Sequence, residues 1–250
     1  MTRPGHSDGH HRGGFTLVEL LVTMAIGSVI LFVSATLLAR AGDGYERGSG
    51  SVAAEREARA LLHQIGGDLS KAEWHKDTRL KNEGDDWKKA DLGFFALQPE
   101  DAQTEAKRSA DLCAIHYYIK DIEVGGVTVR ALMRGFRESG EVFPALRTGS
   151  AESLFETETT DEPVAFGVLS FEAQPLQRAT SGQWEDWNGN VAKAPGAVRL
   201  RLVIARRELL GKLTTPADWN NSPLRGNPEQ AGNHPNLETY EAIQRYGNDA

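Results

Sequence analysis

The sequence predicts an α+β protein: an N-terminal transmembrane helix, then an amphipathic helix packed on an antiparallel β-sheet. Three observations predict it. Residues 20–39 carry no formal charge. The stretch "SVAAEREARALLHQIGGDLSKAEW", 51–74, repeats apolar residues at helical spacing. Beyond Trp74 the period changes to short alternating runs separated by turn residues.

The composition fits a soluble globular body behind one apolar segment. The chain has 250 residues, 40% hydrophobic and 25% charged, enough for one or two domains with a sizeable core. Its net charge of -7 argues against a general nucleic-acid binder, which needs clustered Lys and Arg for phosphate contacts. The single cysteine, Cys113, excludes an internal disulfide.

At ~1.5 Å per residue, a helix over 20–39 covers about 30 Å, one bilayer core. The polar stretch before it, "MTRPGHSDGHHRGG", carries Arg3 and Arg12, which favours a cytoplasmic N-terminus and an exported body. Mixed charges follow it: Arg40, Asp43, Glu46 and Arg47. Three readings fit such a segment. One is a plain signal anchor. Another is a secretory signal cleaved at "ARA", 39–41, although the apolar region exceeds the ~7–15 residues of such signals and Glu19 lies inside it. The third is a prepilin leader.

The third reading rests on "GGFTLVELL", which resembles the N-terminus of type IV pilins and pseudopilins. The resemblance implies that a prepilin peptidase cuts between Gly14 and Phe15, that Phe15 is then N-methylated, and that the whole apolar helix is retained. Glu19 becomes the fifth residue of the mature chain. The new α-amine at Phe15 is charged near neutral pH unless desolvated, and a charge inside a membrane usually marks a partner. In this family the carboxylate pairs with the amine of an adjacent subunit, so Glu19 would set the register of subunit assembly. Small residues Ala25, Gly27, Ser28, Ser34 and Ala35 allow close helix approach in lipid and equally fit ordinary membrane-helix composition.

The organisation expected is a leader at 1–14, a transmembrane helix at 15–39, a hinge and amphipathic helix at 40–75, a β-rich body at 76–213 and a loosely ordered tail at 214–250. The hinge is "GDGYERGSG", 42–50, with four glycines at ~1 kcal/mol each relative to Ala. In the amphipathic helix Ala54, Ala58, Leu61, Ile65 and Leu69 share one face, Leu62 flanks it, and Arg56, Arg59 and Lys71 point away. Gly66 and Gly67 are placed to bend or end it.

Candidate strands are "LGFFALQP", "LCAIHYYIK", "GVTVRALMRGF", "VAFGVLSFEAQPL" and "AVRLRLVIARREL". In the second, Cys113, Ile115, Tyr117 and Ile119 face one way and Ala114, His116, Tyr118 and Lys120 the other. "EVGG" reads as a hairpin turn. In the last strand Val198, Leu200, Leu202 and Ile204 face inward, Arg199 and Arg201 outward. Strands joined by short turns favour antiparallel pairing. The tail is rich in Asn, Pro and Gly, with a short helix expected near 237–246.

The order of the leader motif, "ARALLHQIGGDLSKAEW", "IHYYIK", "VLSFEAQPL", "GQWEDWN" and "PGAVRLRLVI" resembles, over about residues 14–205, the J-type minor pseudopilin of the type II secretion pathway. The glycine-rich 42–50 and the insertion-like 78–107 depart from that pattern. The resemblance implies a structural subunit that initiates or caps a periplasmic pseudopilus, anchored by one pass in the inner membrane with a periplasmic body. Implied partners are the I and K minor types, the prepilin peptidase and an inner-membrane assembly platform. No cofactor, catalysis or nucleic-acid partner is implied. The alternative is a minor pilin of a type IV pilus or DNA-uptake system, against which the acidic balance weighs for DNA contact.

The search for chemistry agrees. No HExxH, GxSxG, P-loop or GxGxxG motif is present. His10 and His11 fall in the leader. Cys113 reads as a buried, inert thiol. Asp186, Asn188 and Asn190 of "DWNGN" offer oxygen ligands at alternate positions; calcium sites usually use more carboxylates, and a turn explains Asn and Gly as well. Trp184 and Trp187 pack near that turn.

Overall fold

The computed structural model describes residues 16–80, 91–97, 112–190, 192–221 and 236–247. Of the insertion-like 78–107, residues 81–90 and 98–107 lie outside them, as do 222–235 and 248–250 of the tail. The chain divides into two compact units, Met1–Ser49 and Gly50–Ala250. The long helix α1, Leu17–Ser70, starts in the first and ends in the second. The fray expected at 42–50 is absent, because the backbone is helical throughout that stretch. Glycine cost there is a local propensity, and helix cooperativity from flanking turns carries through it. Gly66 and Gly67 do not end the helix either; it runs on to Ser70.

The second unit is α+β and wholly antiparallel. Strands β1 (Ala72–Glu73), β2 (Leu92–Leu97), β3 (Leu112–Val124), β4 (Val127–Arg137) and β5 (Glu162–Phe166) form one sheet in that order. Strands β6 (Val168–Arg178), β7 (Trp184–Asp186), β8 (Ala197–Ala205) and β9 (Leu237–Arg245) form another, ordered β7-β6-β8-β9. The single expected sheet is therefore two. The change of sheet is made at one residue, Gly167, whose N–H donates to Arg130 of β4 and whose carbonyl accepts from Ala205 of β8. Its φ of +73° is one that only glycine adopts freely, and Leu210 would lie 2.7 Å from an added Cβ. The β3–β4 hairpin turns on Gly125 and Gly126, both at positive φ as a two-residue primed turn requires.

Helix and both sheets share one core. The α1 stripe Ala58, Leu61, Leu62, Ile65 and Leu69 is buried as its spacing predicts, against Phe94, Ile115 and Leu132 of the first sheet and Phe171, Leu200 and Leu202 of the second. Arg56 and Arg59 are exposed on the far side. In β8, Val198, Leu200, Leu202 and Ile204 are buried and Arg199 and Arg201 partly exposed, again as expected.

Two expectations need correction. Strand β3 is buried on both faces: Ala114, His116 and Tyr118 are as enclosed as Cys113, Ile115 and Tyr117. Their cover includes helix α2 (Ser139–Thr148) and a 3-10 turn (Ala151–Phe155), which pack Val142, Ala145, Leu154 and Phe155 against Phe95 and Ala114. The tail is also more ordered than its composition suggested. The segment 237–246 is largely a strand, β9, paired along the whole of β8. Short helices α3 (Arg207–Leu210) and α4 (Pro216–Asn221) precede it. Trp219 is buried, its Nε1 donating to the Thr128 carbonyl at 2.9 Å.

One buried polar cluster ties the helix to the first sheet. Asp68 Oδ2 accepts from the Tyr117 hydroxyl at 2.6 Å and from Arg134 Nε at 3.0 Å. Burial, then the Asp68 charge, push the Tyr117 phenol well above its ordinary range, which keeps it a donor. Removing the acid leaves Arg134, only 9% exposed, without this counter-charge. Asp68→Ala should therefore cost about 3–5 kcal/mol in denaturant unfolding. Arg59→Ala, which breaks only the exposed pair with Glu55, should cost under about 0.5 kcal/mol.

Candidate functional site

The N-terminal part of α1 is the first candidate. Leu17–Gly42 is long and apolar enough to cross a membrane, and none of its most apolar window is buried in the chain. Its 26 residues rise about 39 Å, more than one hydrocarbon core. Large apolar side chains project on every side, among them Leu17, Leu31, Phe32 and Leu38, each more than 70% exposed. Three of its four hydroxyl side chains are satisfied within the helix: Thr23, Ser28 and Thr36 donate to the carbonyls of Leu20, Ala25 and Phe32 in the preceding turn.

The start of this helix is capped by the motif itself. Thr16 immediately precedes the first helical residue, and its Oγ1 accepts the Glu19 N–H at 3.2 Å. Thr-x-x-Glu is the capping-box pattern, with threonine at the N-cap and glutamate at the third helical position. An acid in the first turn also suits the helix dipole. The Glu19 carboxylate is exposed and has no hydrogen-bond or ion-pair partner among the described residues. Gly14 and Phe15, the expected cleavage and methylation positions, lie outside the described residues, as do His10 and His11.

The second unit holds two further polar clusters, neither visible in the sequence. On the α2 side of the first sheet, Asp91 accepts from Arg79 at 2.9 Å and bonds His116 Nε2. Burial pushes the Asp91 carboxyl up, but His116 and Arg79 outweigh it and hold it below the ordinary range. Cys113 lies on the opposite face of β3 from His116 by strand parity, so the two form no nucleophile–base pair. The Cys113 thiol is fully buried; burial, then the Glu138 charge, push it up to about 11, which leaves it neutral and inert.

The other cluster is centred on Asp161, whose side chain is completely buried. Its oxygens accept from Arg137 Nη1 at 2.7 Å, the Tyr118 hydroxyl at 2.7 Å and the Glu158 N–H at 2.8 Å. Gly135 makes room for it, since a Cβ there would lie 2.9 Å from Oδ1. These bonds tie β3 and β4 to the turn that leads into β5.

The "DWNGN" residues form a turn. Asn188 Oδ1 accepts the Asn190 N–H and Asn190 Oδ1 accepts the Ala192 N–H, each at 3.0 Å, with Gly189 between them at φ +74°. Asp186 ends β7 and is exposed. Among the described residues no three His, Cys, Asp or Glu side chains gather as metal ligands. Trp184 and Trp187 do pack nearby: Arg178 lies 5.0 Å over Trp184, and Trp187 meets Trp74 edge-on at 5.3 Å.

Compared with known proteins, residues 9–35 match the family model of the prokaryotic N-terminal methylation motif. This match takes in Gly14, Phe15, Glu19 and most of the apolar helix, and it supports a structural protein of pilin or pseudopilin type. Such a motif implies processing by a prepilin peptidase and assembly with pilus-type machinery. No curated protein and no solved structure matches the chain.

The Asp161 cluster sets a pH dependence. Burial pushes its carboxyl up, and the bonds from Arg137, the Glu158 N–H and Tyr118 outweigh it, leaving it below the ordinary 3.8. A depressed carboxyl contributes stability that is fully present above 3.8 and lost as pH falls through the lower folded value. Asp161→Asn should therefore cost about 3 kcal/mol at pH 7, and the gap from wild type should shrink below pH ~3.8 in acid titration followed by circular dichroism.

Proposed function

We propose that the chain is a minor pseudopilin, a structural subunit that initiates or caps a periplasmic pseudopilus for protein secretion, most like the J type of the type II pathway. The observation that carries the reading is the conjunction within residues 9–35. A methylation-type motif, a capped helix start and an acid without a partner among the described residues open an exposed apolar helix. The precursor sits in the inner membrane with its N-terminus cytoplasmic, as Arg3 and Arg12 favour, and its body in the periplasm. The peptidase cuts after Gly14, and Phe15 is N-methylated.

Methylation leaves the Phe15 amine able to carry charge. Glu19 of one subunit pairs with that amine on its neighbour, which removes two costly charges from lipid at once. The pair fixes axial register. Partners are the I and K minor types, the peptidase and the assembly platform. The subunit performs no catalysis. A minor pilin of a type IV pilus or uptake system would use the same N-terminal chemistry; the net charge of -7 disfavours a body that contacts DNA.

Co-purification tests the role of Glu19. Tagged full-length protein from a host carrying the other pseudopilins should recover them, and Glu19→Ala should lower recovery by about tenfold or more while membrane insertion persists. Glu19→Asp should recover part of the loss. Unchanged recovery in Glu19→Ala would show that the acid sets no register.

A further inference from the structure

The outermost strands of the two sheets, β1 and β7, border one cleft in the second unit. Its volume is about 460 Å³, within the ~300–1,000 Å³ usual for binding sites. The walls are apolar: Trp74, Trp184, Pro195 and Tyr246. They are held by neighbours, so the cleft is preformed. Trp184 is clamped between the Arg178 guanidinium, 5.0 Å from the ring centroid, and Gly196, where a Cβ would lie 3.1 Å from the ring. Trp74 is fixed edge-on by Trp187 at 5.3 Å and Tyr246 at 6.1 Å.

The cleft is also charged. Arg178 and Lys193 line it, and neither has an acidic partner among the described residues. Elsewhere in the second unit Arg79, Arg130, Arg134, Arg137, Arg201 and Arg206 each face a carboxylate. One acid, Glu73, lines the cleft beside the two cations.

We propose that this cleft docks an extended segment of another protein that pairs an apolar side chain with Asp or Glu. The apolar side chain fills the space between Trp74 and Trp184, and the carboxylate meets Arg178 and Lys193. The segment is extended because β7 offers an outer strand edge to which a peptide backbone can add. A basic segment would place its charge against two cations and is rejected. The site lies in residues 72–247, away from the N-terminal motif, and does not depend on whether the chain enters a fibre.

A phage library of random octapeptides, panned against the full-length protein in nanodiscs, tests this directly. Selected peptides should join an apolar residue to Asp or Glu. A synthetic selected peptide should bind about tenfold more weakly to the Arg178→Glu, Lys193→Glu double variant and to Ala194→Trp, which fills the cleft, with melting temperatures unchanged. The double variant alters exposed side chains, so it reads the proposal even if Ala194→Trp fails to fold. It should also select basic peptides when panned. No selection above background, selection without acid enrichment, or equal binding to the double variant would overturn the proposal. So would concentration-dependent self-association that Ala194→Trp abolishes, since the occupant would then be a second copy.

Discussion

The constraint on which the account depends is the exposure of Leu17–Gly42. An apolar helix whose leucines, isoleucines and phenylalanine all project outward cannot be stable in water; at about 25 cal/mol per Å2 its surface demands lipid or neighbouring helices. The hydroxyls of Thr23, Ser28 and Thr36 suit that demand, because each bonds a carbonyl of its own helix. Glu19 is the exception. Its backbone N–H is satisfied through Thr16, and its carboxylate has no partner among the described residues.

Two acids on one helix show opposite solutions to the same problem. Asp68, near the far end, is buried and receives a phenol and a guanidinium from the sheet it packs on. It is complete within the chain. Glu19 has no such supply among the described residues, and an acid in an apolar setting is tolerated only where something else completes it. Glu19 lies within the match at residues 9–35.

Much of the fold was legible because its signals are local. The stripe Ala54, Ala58, Leu61, Ile65 and Leu69 and the alternation Val198, Leu200, Leu202 and Ile204 each announce a buried face by spacing alone. The misses have non-local causes. "LETYEAIQR" mixes helix formers (Leu, Glu, Ala, Gln, Arg) with the strand formers Thr239, Tyr240 and Ile243, and pairing along β8 decides for the strand. The second covered face of β3 depends on residues 139–155, which follow it in sequence. Gly167 redirects the chain between sheets, yet a glycine between two apolar runs does not announce that role. The 42–50 glycines do not fray the helix, since local cost yielded to helix cooperativity, although the boundary between the two units falls among them, at Ser49 and Gly50. At the candidate site the Glu19 anomaly was plain, whereas the Asp68, Asp91 and Asp161 clusters draw partners from as far as 66, 25 and 43 positions away and were not read from the sequence.

The most direct measurement is the mass and N-terminal residue of the mature chain, purified from a host with an active prepilin peptidase and from one without. The account predicts loss of residues 1–14 and an N-methylated Phe15 in the first host, and an intact leader in the second. A chain beginning at Gly42, or one left uncut in both hosts, would contradict it.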